Sequence, residues 1–302
     1  MMSHFIRRLM LFLLPVILLG VGAESFLRSF PNSYRVKASA MNLMADSVES
    51  IILGNSHAYY AVRPDLLSDA AVNLANVSQT LAIDREILET YAPRCSRLKT
   101  VYLVCDHSNL FDPPLDHGDE SFRLTYYHLY MNLCRPAWTK PFDWELWHTA
   151  SAVEKLKNRI GTREQATADC DSLGWGTAFV AACRDTANLS QSMAQRRAEK
   201  HTCRDGSLAE ANCREVRHIA AYCRDHHLRL ILFATPVTAA YLQHIPASQR
   251  AYVNELLHSV QLDFGAVIVD DSTNPRFSDD DFFDADHLSD VGAAKFTQLL
   301  KK

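Results

Sequence analysis

The sequence lacks an excess of positive charge. Its 31 Lys and Arg residues are outnumbered by 35 Asp and Glu residues, which gives a formal net charge of −4. A nucleic-acid-binding domain needs a basic surface that neutralises phosphate groups. We therefore expect no nucleic-acid partner.

The sequence also lacks the Cys-x-x-Cys spacing, although it has eight cysteines. This absence argues against a zinc knuckle or a thioredoxin-like redox site. All eight cysteines follow the N-terminal apolar segment, so they belong to the part of the chain that we expect to be exported, where disulfides are permitted. Five of them lie between Cys170 and Cys223, and any bridges are expected there. Cys105 ends an apolar run and is expected to be a buried thiol.

Long hydrophobic runs are scarce, and one is present near the N-terminus. Hydrophobic residues make up 48% and charged residues 22% of the chain, which excludes a disordered polyelectrolyte and a multi-span membrane protein. The run from Leu9 to Ala23 has no charge and follows Arg7 and Arg8. It predicts an export segment that spans roughly 22 Å as a helix. Residues 1–23 are therefore either a signal peptide cleaved after Val21-Gly22-Ala23 or a retained anchor, and in both cases the rest is translocated.

Five short apolar runs and four helical patterns organise the exported part. The runs are typical of buried parallel strands and alternate with the helices. This pattern predicts a three-layer α/β/α fold with a doubly wound, mostly parallel five-stranded sheet. The predicted strands are 51–54, 70–75, 98–105, 228–235 and 266–270, and the predicted helices are 80–93, 207–226, 246–260 and 290–301.

Two segments lie outside this pattern. Residues 24–49 are expected to form a juxtamembrane stalk with some helical tendency, which leaves 50–302 as the α/β/α domain. Residues 112–206 have no strand pattern and are expected to form a helical insertion that covers the site as a lid. Its aromatic residues either pack in a helical core or stack on sugar rings. They are Phe122, Tyr126, Tyr127, Tyr130, Trp138, Phe142, Trp144, Trp147 and Trp175.

Polar side chains follow the predicted strands at the ends where a parallel sheet places its reactive crevice. A hydroxyl, several amides and a carboxylate–histidine pair are expected to meet at this edge. The segments are Gly54-Asn55-Ser56-His57, 73–78, Asp106-His107-Ser108-Asn109 and 284–292.

Two of these segments resemble the first and last sequence blocks of the SGNH/GDSL hydrolase superfamily. The first is Gly54-Asn55-Ser56, and the second is Asp284-x-x-His287 followed by Gly292. The resemblance covers 50–110 and 228–301, and the order of the blocks also fits. It implies ester hydrolysis or acyl transfer without a cofactor, with Ser56 as nucleophile, His287 as general base and Asp284 as the carboxylate that orients the imidazole.

The oxyanion hole departs from the family pattern. The resemblance implies donors at Ser56, at Ser78 where the family has a glycine, and at Asn109. A backbone N–H at position 78 serves with either residue. Asn109 is the one residue retained from the third block, which here reads His107-Ser108-Asn109-Leu110. If the Asn109 side chain points elsewhere, Gln79 or Asn76 could replace it.

Other polar residues near this edge have competing interpretations. Asp286 competes with Asp284 as the orienting carboxylate, although the three-residue offset favours Asp284. His57, His107 and Gln79 are candidate substrate-binding residues. A zinc site made by His57, His107 and Asp106 is disfavoured because their spacing follows no ligand motif, so no metal is expected.

A looser resemblance to membrane-anchored SGNH proteins of bacterial envelopes suggests the biological setting. It implies an exported esterase or O-acyltransferase, periplasmic or otherwise extracytoplasmic and tethered to the inner membrane. The substrate would be an ester, acetyl above all, on an envelope glycan or a small molecule, and a membrane-bound acyltransferase partner stays open. The competing hypothesis is a catalytically degenerate scaffold that binds glycan or anchors a biosynthetic complex.

Overall fold

A computed structural model describes residues 2–68, 70–116, 118–161, 168–202 and 206–301. Its centre is one parallel sheet of five strands in the order β2-β1-β3-β4-β5. Each strand lies within one of the five predicted apolar runs or begins one residue before it, so the sequence prediction of the sheet is confirmed. The strands are β1 (Ser50–Leu53), β2 (Ala71–Asn73), β3 (Thr100–Val104), β4 (Arg229–Ala234) and β5 (Val267–Asp270).

Helices cover both faces of the sheet, which confirms the predicted three-layer α/β/α fold. On one face, α2, α5, α9 and α11 pack on Ile51, Val101 and Leu230. On the other face, α3, α4 and α12 pack on Ile52 and Phe233. The helices are α1 (Met2–Arg28), α2 (Ser33–Met44), α3 (Ser56–Ala61), α4 (Pro64–Leu67), α5 (Leu81–Tyr91), α6 (Phe122–Tyr126), α7 (Thr149–Gly161), α8 (Gln191–Lys200), α9 (Gly206–Asp225), α10 (Ala239–Leu242), α11 (Ala247–Phe264) and α12 (Asp290–Leu300).

The predicted stalk is part of the folded domain instead of a separate linker. Within 24–49, helix α2 buries Tyr34, Ala38 and Met41 in the main core. These residues follow one another at intervals of four and three, so they share a helix face. Lys37 is also fully buried, and its ammonium group donates a hydrogen bond to Asn76 Oδ1 at 3.0 Å. Helix α2 therefore supports the loop that follows β2.

The insertion is helical, as the sequence predicts. Among its described residues, 112–116, 118–161 and 168–202, extended pairing is limited to an isolated bridge between Cys170 and Gly176. Helices α6, α7 and α8 alternate with short 3₁₀ turns, and a π-helical turn covers Tyr127–Met131. Its aromatic residues divide into two groups. Tyr126 and Tyr127 lie in the main core, whereas others, described below, face outwards.

The expected disulfides are not formed among the described residues. Seven cysteines are free thiols there, including four of the five for which bridges were expected, and Cys203 lies outside the described residues. Cys105 is fully buried, as predicted, and burial raises the pKa of its thiol. Cys170 and Cys223 are also buried, so these residues act as apolar packing groups.

Helix α1 contains the predicted export segment. The stretch from His4 to Arg28 is long and apolar enough to cross a membrane: an 18-residue window within it has a mean hydropathy of 2.1, and almost none of that window is buried in the domain. Among the described residues it is the one helix with these properties. Helix α1 continues without a break beyond Ala23 and ends at Arg28.

Candidate active site

Ser56 lies at the start of α3, directly after β1. Gly54 allows this sharp turn because its φ is +129° and because a side chain there would collide with Val104, whose Cγ1 would be 2.1 Å from an added Cβ. Asn55 caps α3, since its side-chain oxygen accepts the His57 N–H at 3.0 Å. The Asn55 amide donates to Ser108 Oγ at 2.9 Å, which ties the turn at Ser56 to the loop after β3.

His287 and Asp284 come from the loop before α12 and complete a hydrogen-bonded chain with Ser56. His287 Nε2 is 2.8 Å from Ser56 Oγ, and His287 Nδ1 is 3.0 Å from Asp284 Oδ1. The loop is fixed by Gly292, where an added Cβ would lie 2.0 Å from the Asp281 carbonyl oxygen. The structure therefore brings together the three residues that the sequence predicts as nucleophile, base and orienting carboxylate.

Two carboxylates compete for the far side of His287, and the geometry distinguishes them. Asp284 Oδ1 is within hydrogen-bond distance of Nδ1, whereas Asp286 Oδ1 is 3.5 Å from it. Asp284 Oδ1 also accepts the backbone N–H groups of Asp286 and His287. Burial lowers the pKa of His287, but the charges of Asp286 and Asp284 outweigh this effect and raise it to about 9.

Asp286 is a buried carboxylate next to three basic side chains. His57 Nε2 lies 3.6 Å from Asp286 Oδ2, and Arg197 Nε lies 3.6 Å from Asp286 Oδ1. His201 Nδ1 is 3.9 Å from Asp286 Oδ2. Burial opposes ionisation of Asp286, yet its neighbours, His287 foremost, hold its pKa well below the usual range. The carboxylate is therefore charged and held by ion pairs.

His57 forms a second histidine–carboxylate pair beside the first. Its Nδ1 is 3.1 Å from Asp106 Oδ2, and its ring lies edge-on to His287 with 5.1 Å between the ring centroids. Burial lowers the pKa of His57, but Asp106 and Asp286 raise it to about 10. This imidazole is buried, and its Nε2 has no hydrogen-bond partner among the described residues although it lies 3.6 Å from Asp286 Oδ2, so the structure does not expose His57 as the prediction of a substrate contact would require.

His107 and Gln79, the other two candidate substrate-binding residues, are both buried and hydrogen-bonded within the protein. His107 Nε2 is 3.1 Å from the Tyr241 hydroxyl, which is 2.6 Å from His201 Nδ1, and His107 is buried. Gln79 is fully buried. Its amide donates to Asp84 Oδ1 at 2.6 Å and its oxygen accepts from Tyr127 at 2.7 Å. Gln79 therefore offers no free group to a substrate.

The oxyanion-hole candidates have different fates. Asn109 is buried and folds back on its own turn, where its oxygen accepts the Asp106 N–H and its amide donates to the Val104 carbonyl at 2.7 Å. Ser78 has a φ of +57°, the left-handed conformation that favours the glycine expected there. Within the described chain, the backbone N–H groups of Ser56 and Ser78 donate to no backbone or side-chain acceptor. They are therefore available to a ligand.

The insertion supplies residues that sequence reasoning did not identify. Arg197 on α8 donates to Asp284 Oδ2 at 2.8 Å, and His201 follows one helical turn later. Their spacing of four residues indicates that both side chains lie on one face of a helix. Nothing in the sequence indicated where on the domain α8 would pack. Phe179 stacks on Tyr60 and on Phe283, with centroid distances of 3.8 and 4.3 Å, and lies edge-on to His287. These rings form an aromatic wall beside His287.

A cavity of about 350 Å³ opens at the carboxyl ends of β3, β4 and β5. Asp106 and His107 line it together with polar residues, such as Arg250 and Asp270, and apolar residues, such as Leu257. The cavity is therefore adjacent to the His57–Asp106 pair, at the sheet edge where a ligand of this fold class binds.

One group of described residues has the spacing of a metal site. His57, Asp286 and His287 each offer one donor atom, and these atoms lie within 4.8 Å of one another. Both ring nitrogens of His287 are occupied by Ser56 and Asp284, and the Arg197 guanidinium lies beside Asp286. The cluster therefore has the contacts of an ion-pair network. The zinc site considered from the sequence, made by His57, His107 and Asp106, is not the group that has this spacing.

Comparison with protein-family models and with curated proteins finds no match for this chain.

Proposed function

We propose that the protein is a serine esterase or O-acyltransferase that acts on ester groups of a cell-envelope glycan. The observation that carries this proposal is the chain of hydrogen bonds from Ser56 through His287 to Asp284, with lengths of 2.8 and 3.0 Å. A hydroxyl is a weak nucleophile until an adjacent imidazole removes its proton. A carboxylate on the opposite ring nitrogen fixes the tautomer and stabilises the imidazolium.

The proposed reaction has two halves. Ser56 Oγ attacks the ester carbonyl while its proton passes to His287 Nε2, and the tetrahedral intermediate collapses when His287 returns that proton to the departing alcohol. Water or a sugar hydroxyl then attacks the acyl-Ser56 ester, again through His287. Acetyl is the simplest acyl group for this chemistry. The reaction needs no cofactor.

The oxyanion of the intermediate needs donors that are in place before the reaction. The free N–H groups of Ser56 and Ser78 support this role. Asn109 does not contribute in the proposal because its side chain closes the turn after β3. A hole built from two backbone donors predicts modest catalysis, since one lost donor can cost about 3 kcal/mol of transition-state stabilisation.

The substrate class is inferred from the surroundings of the chain of hydrogen bonds. The aromatic wall of Tyr60, Phe179 and Phe283 places aromatic rings, the residue type that stacks on sugars, beside His287, although Phe179 is covered on both faces by the other two. The polar cavity next to Asp106 has space for hydroxyl-bearing groups. Together with the apolar helix α1, these features support an envelope glycan over a soluble metabolite.

Attachment to the membrane through α1 is part of the proposal. The Glu24 carboxylate, next to the Val21-Gly22-Ala23 sequence, accepts the N–H groups of Glu145 and Leu146 at 3.0 and 3.1 Å. A helix that continues through this sequence and is bonded to the insertion supports a retained anchor over a cleaved signal. The catalytic domain would then lie on the extracytoplasmic side, tethered to the inner membrane.

Covalent labelling tests the proposed nucleophile. A fluorophosphonate should label the full-length protein in detergent, and the protein should release p-nitrophenol from its acetate. Ser56→Ala should do neither, whereas Ser190→Ala, a change at an exposed serine far along the insertion, should behave as wild type. Equal labelling of wild type and Ser56→Ala would refute the assignment. Absence of labelling in the wild type would favour the glycan-binding scaffold.

A further inference from the structure

Three large aromatic side chains are exposed within a short stretch of the insertion. Trp138, Phe142 and Trp147 have exposed fractions of 74, 65 and 63%. Large exposed apolar groups in a cluster mark an interaction surface, because a monomer gains nothing from leaving them in water. We call residues 137–147 the aromatic segment.

The aromatic segment is bound to one face of α1. Besides the two N–H groups that Glu24 accepts, the Arg28 guanidinium donates to the Asp143 carbonyl at 2.7 Å. The ring of Trp144 contacts α1 at Gly20, where an added Cβ would lie 3.6 Å from it. Gly20, Glu24 and Arg28 follow one another at intervals of four residues, so the segment lies along a single stripe of the helix. Its position relative to α1 is therefore fixed.

The contacts define how deep the segment reaches. Gly20 belongs to the uncharged run that ends at Ala23, and it lies roughly 6 Å below Glu24 at 1.5 Å per residue. The Trp144 ring thus reaches the level at which α1 is apolar on all sides. Trp and Tyr are enriched at this level of membrane proteins, because their rings are amphipathic. Interfacial segments enter the bilayer to a depth of about 5 to 10 Å.

We propose that the aromatic segment lies in the membrane interface beside α1, with Trp138, Phe142 and Trp147 inserted among the lipid headgroups. The occupant of this surface is the lipid bilayer. Arg28 on α1 and Lys140 within the segment are basic, which suits the phosphate groups of lipids, although each also donates to a backbone carbonyl of the insertion. The insertion then forms a second membrane contact, and the two contacts together fix the orientation of the domain relative to the membrane. The inference depends on α1 remaining in the membrane and is independent of the proposed chemistry.

Quenching by brominated lipid tests the inference on the full-length protein in lipid nanodiscs. The chain has four tryptophans, so variants with three Trp→Phe changes leave one emitter each. We expect strong quenching in the variants that retain Trp138 or Trp147. The control retains Trp175, whose indole N–H donates to the Tyr60 carbonyl at 2.8 Å and whose ring lies under Arg63. It should not be quenched.

A second variant avoids changes at Trp144 and Trp175. The double variant Trp138→Phe with Trp147→Phe alters two exposed rings only, so it should fold as wild type. Its emission should be quenched by brominated lipid less than that of the wild type, because two of the three tryptophans placed in the interface are gone and Trp144, next to Gly20, is the one that remains there. The inference would be overturned if the variants that retain Trp138 or Trp147 were quenched no more than the variant that retains Trp175. A protein partner would then be the occupant of this surface. A mature chain that begins after Ala23 would overturn it as well.

Discussion

His57 Nε2 lies 3.6 Å from Asp286 Oδ2, and His287 Nδ1 lies 3.5 Å from Asp286 Oδ1, so these two imidazoles share one buried carboxylate. The buried cluster that contains these groups has three carboxylates and two cationic side chains. The carboxylates are those of Asp106, Asp284 and Asp286, and the cations are Arg197 and protonated His57. One negative charge is left, and a proton on His287 neutralises it.

The first prediction follows from this charge balance and concerns pH. The carboxylates raise the pKa of His287 to about 9 although burial lowers it. His287 can act as a base only when it is neutral, so kcat/KM should rise with pH. The midpoint should lie above 6.5, the ordinary value for histidine, and towards 9. Initial rates of p-nitrophenyl acetate hydrolysis between pH 5 and 10, corrected for the spontaneous reaction, provide the measurement. A midpoint at or below 6.5 would contradict the prediction.

The second prediction concerns His57→Gln. The change removes a positive charge near His287 and leaves Asp106 and Asp286 less compensated. The proton on His287 should then be held more tightly, and the midpoint of the pH profile should move up by roughly one unit. The pH profile of His107→Gln serves as the control and should keep the wild-type midpoint. His107 is hydrogen-bonded to Tyr241 and forms no ion pair with Asp106 or Asp286. A downward shift for His57→Gln would show that the imidazole is neutral.

The third prediction distinguishes the two carboxylates next to His287. Asp284→Asn keeps the shape of the side chain but removes the carboxylate charge that stabilises the imidazolium and accepts a hydrogen bond from Nδ1–H. The acylation rate should fall by a factor on the order of 10⁴. Asp286→Asn should lose far less, because Asp286 lies 3.5 Å from Nδ1, beyond a good hydrogen bond. The acylation rates of the two variants should be compared in single-turnover experiments by rapid quench, because deacylation and product release then do not affect the measured rate. If Asp286→Asn is the slower variant, Asp286 is the orienting carboxylate.

Local sequence was sufficient for the sheet and for the three central residues of the site. Parallel strands of this fold class are continuous apolar runs, and all five were visible as such, although β5 at the sheet edge is only partly buried. Asp284 and His287 are three residues apart on one loop, so their pairing needed no knowledge of the tertiary fold. Ser56 meets them because β1 ends where the loop before α12 passes.

Contacts between distant segments could not be predicted in the same way. Arg197 reaches Asp284 across 87 residues of sequence, and its approach depends on how α8 docks on the domain. Asn109 was a candidate donor from the sequence, yet its side chain binds its own turn. In contrast, the packing of α2 was open to prediction, because Tyr34, Ala38 and Met41 already have the spacing of one helix face.

The last prediction concerns the turn that presents Ser56. Gly54→Ala should destabilise the protein by at least about 3 kcal/mol, because the positive φ costs about 1 to 2 kcal/mol and the new methyl group overlaps Val104. Gly265→Ala is the matched control. Gly265 also has a positive φ, at the end of α11, but nothing lies within 4 Å of an added Cβ, so the cost should be only about 1 kcal/mol. Urea unfolding of the two full-length variants in the same detergent gives both values.

Labelling of folded Gly54→Ala by the fluorophosphonate should also fall, because the serine would be displaced from His287, whereas Gly265→Ala should be labelled normally. Equal destabilisation by the two changes would mean that Val104 moves aside, and that the close approach of β1 to β3 does not hold the nucleophile in place.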